Sequence, residues 1–496
     1  MKMLRLGVLS VSVAFMISAA ACGKQPDTSG IPTQSGESTT AGISMENGVT
    51  TEMTSTTNTD RSEQPGTSNS TQTVTTKSKD QQNPIRTNSQ FTFNNGTTAT
   101  TKKVVPAVEP EPMKLLKKVL TKTPKVTYVP ELDYNDKIKA IYYTGENYQN
   151  RPSRVFAYIG FPEGASAKNK VPAVVCVHGG GGQAFPQWVE EWNKRGYAAI
   201  AMDNYGNMPS SKTGKFVRDP QGAVPPDLSY ATINQPIQNQ WMYHAVAEAI
   251  LANSVLRADE RVQANKIGLT GISWGGVISG ITIGVDNRFA FAVPVYGCGY
   301  LSENLTYFNY YKNKRVTDYW GVEKYIPFAS SPVLWISGDR DTSFDINCFS
   351  KTVQNTPNGM AAIKPAMLHG HYEGWEPAEI YAFADSYCKG GKSMVKIITQ
   401  PNKSMGKKIS VSYQAASGTT LNTVRAYYLT KPFGYETDQY GNKAKFVGEW
   451  QFVDGTAGNG KATVTLPDGV YAYYINFVST SGGKILISST DYVVLK

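Results

Sequence analysis

Between residues 125 and 390 the hydrophobic positions fall into short unbroken runs separated by longer stretches with helical spacing. Residues 154–161 and 171–177 read as strands, the second apolar throughout. Residues 197–202, 266–270, 289–295, 332–336 and 364–368 continue the series. Helical spacing lies around 187–195, 237–256, 277–285 and 377–388. Continuous apolar strands alternating with helices predict a mostly parallel sheet covered on both faces, an α/β architecture. From residue 394 the period changes to short alternating segments at 394–399, 409–414, 423–429, 446–453, 461–466, 470–478 and 484–495. Turns such as Pro467-Asp468-Gly469 separate them. Seven such segments predict a small all-β sandwich of the immunoglobulin or fibronectin kind over residues 391–496.

The first residues carry a different signal. Lys2 and Arg5 precede an apolar run over 6–17, then Ser18-Ala19-Ala20-Ala21-Cys22-Gly23. A basic end, a short greasy stretch and small residues predict an export signal over 1–21, too short for a membrane span. Its junction with Cys22 resembles a bacterial lipobox, which implies that Cys22 takes a diacylglycerol and anchors the protein to the membrane. Residues 22–124, rich in Ser, Thr, Gly, Asn and Gln in their first eighty or so positions, predict a disordered tether with an r.m.s. span on the order of 50 Å. The expected location is the outer face of the cell membrane, or the medium if Cys22 is not acylated.

Composition narrows the function classes. Forty per cent apolar and 18% charged residues over 496 positions suit a globular protein, and five cysteines exclude a disulfide framework. The formal charge is +10, but residues 125–388 hold 23 Lys and Arg against 24 Asp and Glu. A neutral middle carries no basic stripe and argues against nucleic-acid binding. Residues 389–496 hold 13 basic against 6 acidic side chains, an excess that could draw acidic cell-wall polymers to the sandwich. Cys176, Cys298, Cys348 and Cys388 are buried thiols or include one bridge.

The candidate chemistry sits where strands end. Gly271-Ile272-Ser273-Trp274-Gly275 follows a predicted strand and opens a helix, the sharp turn that exposes a nucleophilic serine between residues without side chains. Serine needs a base, and the chain has four histidines. His178 opens a glycine run and His244 lies inside a predicted helix, which leaves His369 and His371 in Leu368-His369-Gly370-His371. The base is placed at His371, deeper in the loop before Gly374-Trp375, with His369 as the alternative base and otherwise structural. The acid is placed at Asp341, after the strand 332–336; Asp339 and Asp345 are lesser candidates. The order Ser273, Asp341, His371 is that of α/β-hydrolases. Trp274 N–H and the run 179–182, with Gly180 and Gly181 foremost, are expected to form the oxyanion hole. Tyr205 and Trp375 are possible substrate-lining rings. The glycine run lacks the spacing of a phosphate or dinucleotide loop, and no metal-ligand spacing is present, so neither cofactor nor metal is expected.

The segments RVFAYIGFPEGASAKNKVPAVVCVHGGGGQAF, WNKRGYAAIAMDNYG, GISWGG, AVPVYGCGYLSEN, WISGDRD and HGHYEGWEPAEI resemble bacterial secreted α/β-hydrolases of the acetyl xylan esterase, dienelactone hydrolase and prolyl oligopeptidase-like group. Where relatives read Gly-Thr-Asn-Asp, this chain has Gly338-Asp339-Arg340-Asp341, which keeps the acid and changes its neighbours. The resemblance covers about 125–390 and implies a serine esterase acting on acylated, foremost acetylated, carbohydrate. A prolyl oligopeptidase-type peptidase is the alternative within enzymes. A non-catalytic surface-binding lipoprotein on the same fold is the alternative outside them.

Overall fold

The computed structural model describes residues 108–496, apart from 224, 393, 438–442 and 447, together with the short paired strands Gln90–Thr92 and Thr98–Thr100. The expected export signal, Cys22 and most of the expected tether lie outside the described residues. Helix α1, Glu111–Val119, follows Pro110 and places Pro112, Met113, Leu116 and Val119 on one buried face. It packs against two central helices described below, so the tether expected to run to 124 ends before residue 111. A polar linker does not have apolar residues at i, i+1, i+4 and i+7, and that stripe is what buries the helix.

Three antiparallel strands come first: β1 Val126–Tyr128, β2 Ile138–Thr144 and β3 Arg154–Gly160. The doubly covered part follows, with β4 Val171–Val177, α2 Pro186–Lys194, β5 Ala198–Met202, α3 Trp241–Ala258 and β6 Val262–Ile272. After these run α4 Trp274–Val285, β7 Phe291–Val295, β8 Val333–Gly338, α5 Ile346–Gln354, β9 Gly359–Lys364 and α6 Ala378–Cys388. The parallel strands lie in the order β5-β4-β6-β7-β8-β9, and β3 adds antiparallel to β5. β4, β5, β7 and β8 are almost wholly apolar because helices cover both faces. Residues 241–256 of α3 are all buried, since it lies between the sheet and α1.

β9 departs from the expected 364–368. Pro365 has no N–H to give the ladder and Ala366 takes φ +58°, so the chain leaves the sheet at Lys364.

The C-terminal segment is a two-layer sandwich, as its alternation predicts. Its strands include β10 Lys408–Gln414, β11 Thr419–Leu429, β12 Gln451–Asp454, β13 Lys461–Thr465, β14 Ala472–Ser481 and β15 Lys484–Ser489. Ile409, Val411, Ala462 and Val464 of one layer pack on Val424, Ala426, Tyr473, Ile475 and Phe477 of the other. The second layer is not separate from the hydrolase sheet. β15 pairs with β9 at Ala361 and Ser489, so β12-β11-β14-β15 extends the main sheet to 14 strands. Tyr474, beside inward-facing Tyr473, points the other way and joins the main core.

Candidate active site

The loops after β4, β6, β8 and β9 converge beyond the carboxyl ends of the parallel strands, where open α/β sheets gather their ligand-binding groups. Ser273 stands between β6 and α4 at φ +58° and ψ −119°, a conformation costly for a residue with a Cβ. Its flanking glycines are required by contact. A Cβ on Gly275 would lie 2.0 Å from the Val177 carbonyl oxygen, and one on Gly271 would lie 2.1 Å from that of Gly275. The turn therefore presses on the end of β4, the strand that leads into the glycine run.

The Ser273 hydroxyl donates to His369 Nε2 at 2.9 Å, and His369 Nδ1–H donates to Asp341 Oδ2 at 2.8 Å. Asp341 Oδ1 accepts the N–H groups of Ser343 and Phe344 at 2.7 and 2.9 Å, so its carboxylate is held on both sides. The ring of Tyr296 lies 4.4 Å from that of His369 and Phe344 lies 6.1 Å away, nearly parallel, which fixes the imidazole plane. Burial alone would lower the pKa of His369. The charge and hydrogen bond of Asp341 outweigh it, and the pKa lies above the usual histidine value.

The imidazole joined to Ser273 is thus that of His369, and the expectation of His371 as the base is corrected. His371 faces the glycine run, where its Nε2 accepts the Gly179 N–H at 3.1 Å. Burial, reinforced by the charge of His369, pushes its pKa down to about 4. On the other side of the run, the Gly181 N–H donates to the Tyr205 hydroxyl at 3.1 Å. Gly180 lies between these two anchored amides, and no described residue accepts from its N–H or from that of Trp274. Gly181 was expected to face the oxyanion, but its N–H is already engaged; Gly180 and Trp274 fit that role.

The remaining candidates separate cleanly. Tyr205 lies beside the run, buried, with its hydroxyl pushed up to about 12 chiefly by burial. Trp375 is stacked on Trp188 at 5.4 Å and edge-on to Phe185, only 6% exposed, so it packs the core instead of lining a binding surface. Asp345 caps α5 through Cys348 N–H, and Asp339 accepts from the Ala366 N–H and the Tyr474 hydroxyl, with no bond to His369. His178 is neutral, pushed down to about 3 by burial, and its Nε2 accepts the Asn204 N–H. The four described cysteines are free and buried. Tyr296, Phe344 and the clasp made by His371 were not legible as site residues; the histidine pair was the one signal that pointed there.

Residues 155–374 match the family model described as "Dienelactone hydrolase family". Among solved structures, similar folds include acetyl xylan esterase 1 from a Thermoanaerobacterium species, at 16% identity and TM-score 0.42, covering 57% of this chain and 94% of that one. The acetyl xylan esterase from a Paenibacillus species is 19% identical, with TM-score 0.44 and coverage of 55% and 92%. The acylaminoacyl peptidase of Pyrococcus horikoshii is 14% identical, with TM-score 0.36 and coverage of 51% and 40%. Nothing matches among the curated proteins. The strand order, the sharp turn at Ser273 and the matched segment agree on an α/β-hydrolase fold, within which residues 155–374 are similar to the dienelactone hydrolase family.

Proposed function

We propose that this protein is a serine hydrolase that cleaves carboxylic esters, with small acyl groups on carbohydrate as its substrates. The observation that carries the reading is the unbroken chain from Ser273 through His369 to Asp341, at 2.9 and 2.8 Å, on a strained turn. In this reading His369 takes the hydroxyl proton as Ser273 Oγ attacks the ester carbonyl. Asp341 stabilises the imidazolium, and His369 then returns the proton to the departing alcohol. The tetrahedral oxygen receives the N–H groups of Trp274 and Gly180, each of which contributes roughly 3 kcal/mol to the barrier in enzymes of this type. Water, activated by the same imidazole, releases the acid from the acyl-enzyme.

A small acyl group fits a serine that is 9% exposed and pressed by Gly179, beside a glycine run that Trp274 and Tyr205 flank at Gly180. Lipid anchoring through Cys22 and an outward-facing location complete the proposal on sequence alone; loss of palmitate labelling in Cys22→Ala tests them. The hydrolase reading is tested with p-nitrophenyl acetate and a fluorophosphonate probe. Ser273→Ala is expected to lose turnover and labelling together, and a variant that keeps the wild-type rate overturns the reading. Faster cleavage of dipeptide amides than of acetylated xylan would replace esterase by peptidase.

A further inference from the structure

We propose that the C-terminal β module belongs to the hydrolytic machinery: Tyr474 and Trp450, acting through Asp339, are positioning residues that hold Asp341 against His369. This inference rests on the hydrolase reading above and gives the module a role beyond solubility or polymer binding. Asp339 lies two residues before Asp341, at the end of β8. Its Oδ2 accepts the Tyr474 hydroxyl at 3.1 Å, and its main-chain carbonyl accepts the Trp450 indole N–H at 3.0 Å. Its Oδ1 accepts the Ala366 N–H at 2.8 Å, three residues before His369. One side chain therefore ties together the acid loop, the loop that carries the base, and the module.

The contact is built to stay in one arrangement. Tyr474 is fully buried, stacked on Tyr427 at 5.3 Å and met edge-on by Trp450 at 5.1 Å, so its ring cannot swing away from Asp339. A buried carboxyl is costly unless its oxygens are hydrogen-bonded, and both of these are. The wider seam is aimed at the exit of β9. A single ladder pair joins β15 to β9, and side chains supply the rest. Ser489 Oγ accepts the Ile363 N–H at 2.7 Å, Asn476 donates to the Ile363 carbonyl at 3.0 Å, and Glu379 accepts from Ile487 N–H and from Lys364, both at 2.9 Å. Polar contacts of this kind specify register, which apolar packing alone leaves loose. The residues so fixed, Ile363 and Lys364, lie at the exit of β9, from which the chain leaves toward His369, while Asp339 itself is held at the exit of β8, two residues before Asp341.

The test compares Tyr474→Phe and Trp450→Phe with Val411→Ala, which loosens the sandwich core far from Asp339, in the full chain. Steady-state hydrolysis of p-nitrophenyl acetate, its pH profile and the melting temperature are measured for each. The two aromatic variants are expected to lower kcat about ten- to a hundredfold with KM within twofold, the scale of a misplacement of roughly 1 Å. They are also expected to move the acid limb of kcat/KM to lower pH. Asp341 holds the pKa of His369 up against burial, and a loosened Asp341 leaves burial to act. The other groups facing His369 (Glu373 and His371 on its own loop, Tyr296 after β7 and Ser273 after β6) are untouched by these changes. Val411→Ala is expected to lower the melting temperature and leave kcat and the acid limb in place. The inference is overturned if folded Tyr474→Phe and Trp450→Phe keep the wild-type kcat and pH profile, or if Val411→Ala reproduces their effect. Should the aromatic variants fail to fold, Asp339→Ala, which leaves the Tyr474 hydroxyl and the Ala366 N–H without their acceptor, overturns it equally if its acid limb is unaltered. A live Ser273→Ala sinks the hydrolase reading itself, whereas a dead Ser273→Ala beside a wild-type Tyr474→Phe sinks this inference alone.

Discussion

Replacing the two imidazoles of the 369–371 loop one at a time separates their work by orders of magnitude. His369→Gln removes the acceptor of the Ser273 hydroxyl and the donor to Asp341, contacts of 2.9 and 2.8 Å. Deleting the base of such a triad lowers kcat by about 10⁶, leaving the residual rate that the oxyanion donors and binding supply. His371→Phe removes only the acceptor of the Gly179 N–H at 3.1 Å. An unpaired buried N–H costs about 1–3 kcal/mol. Passed wholly into the barrier through a displaced Gly180, that cost bounds the loss at about five- to 150-fold, at 1.36 kcal/mol per tenfold. The variants are thus expected to differ by about 10⁴ in kcat, and His371→Gln, which restores an acceptor, should recover part of the smaller loss. The assay is p-nitrophenyl acetate turnover normalised to active sites by fluorophosphonate titration. A His371→Phe protein as inactive as His369→Gln would refute the division of labour drawn from the structure. So would a His369→Gln protein that keeps a per cent of the wild-type rate.

Further expectations concern stability. Asp203 is fully buried, its Oδ1 accepts the N–H groups of Tyr205 and Asn207, and burial pushes its pKa from 3.8 up to about 7. With the folded pKa raised, its contribution is present below pH 3.8 and lost as pH rises to about 7. Asp203→Asn, which keeps the accepting oxygen, should therefore gain in melting temperature relative to wild type between pH 4 and 7 and no further above 8. A gap independent of pH defeats that assignment. Leu116→Ala, in the buried face of α1, is expected to cost about 2–5 kcal/mol in urea unfolding, whereas a residue in a tether would cost nothing. Gly275→Ala drives a methyl into the Val177 carbonyl and should cost roughly 3 kcal/mol or more, read as a lost or lowered melting transition.

The α/β layering was legible because its strands are apolar throughout, and burial on both faces leaves no alternation to confuse with a helix. β4 begins and ends where its apolar run does, at Val171 and Val177. The elbow was legible for a stronger reason: only glycine fits at 271 and 275, so the spacing is a record of backbone contact. β1 and β2 were missed, being half-exposed or antiparallel additions at the sheet edge without a periodic signature of their own. The bond from Tyr474 to Asp339 joins residues 135 positions apart and leaves no local trace in either segment.

The choice between His369 and His371 was lost at one strand end, and the reason is physical. Taking β9 to run to residue 368 leaves His369 beside the sheet, pinned near backbone, and makes His371 the first imidazole with room to reach a serine. The strand in fact stops at Lys364, since Pro365 cannot donate to the ladder and Ala366 turns to positive φ. Its exit is then locked by the Ala366 N–H on Asp339. Four residues of loop, 365–368, separate His369 from the sheet, enough to carry its ring over Asp341, and the chain turns helical at His371, which sends that ring to the glycine run. Had Pro365 been read as the end of the strand, His369 would no longer have been pinned beside the sheet and would have stood open as the base. The proline at 365 was therefore the residue that decided which histidine could meet Ser273.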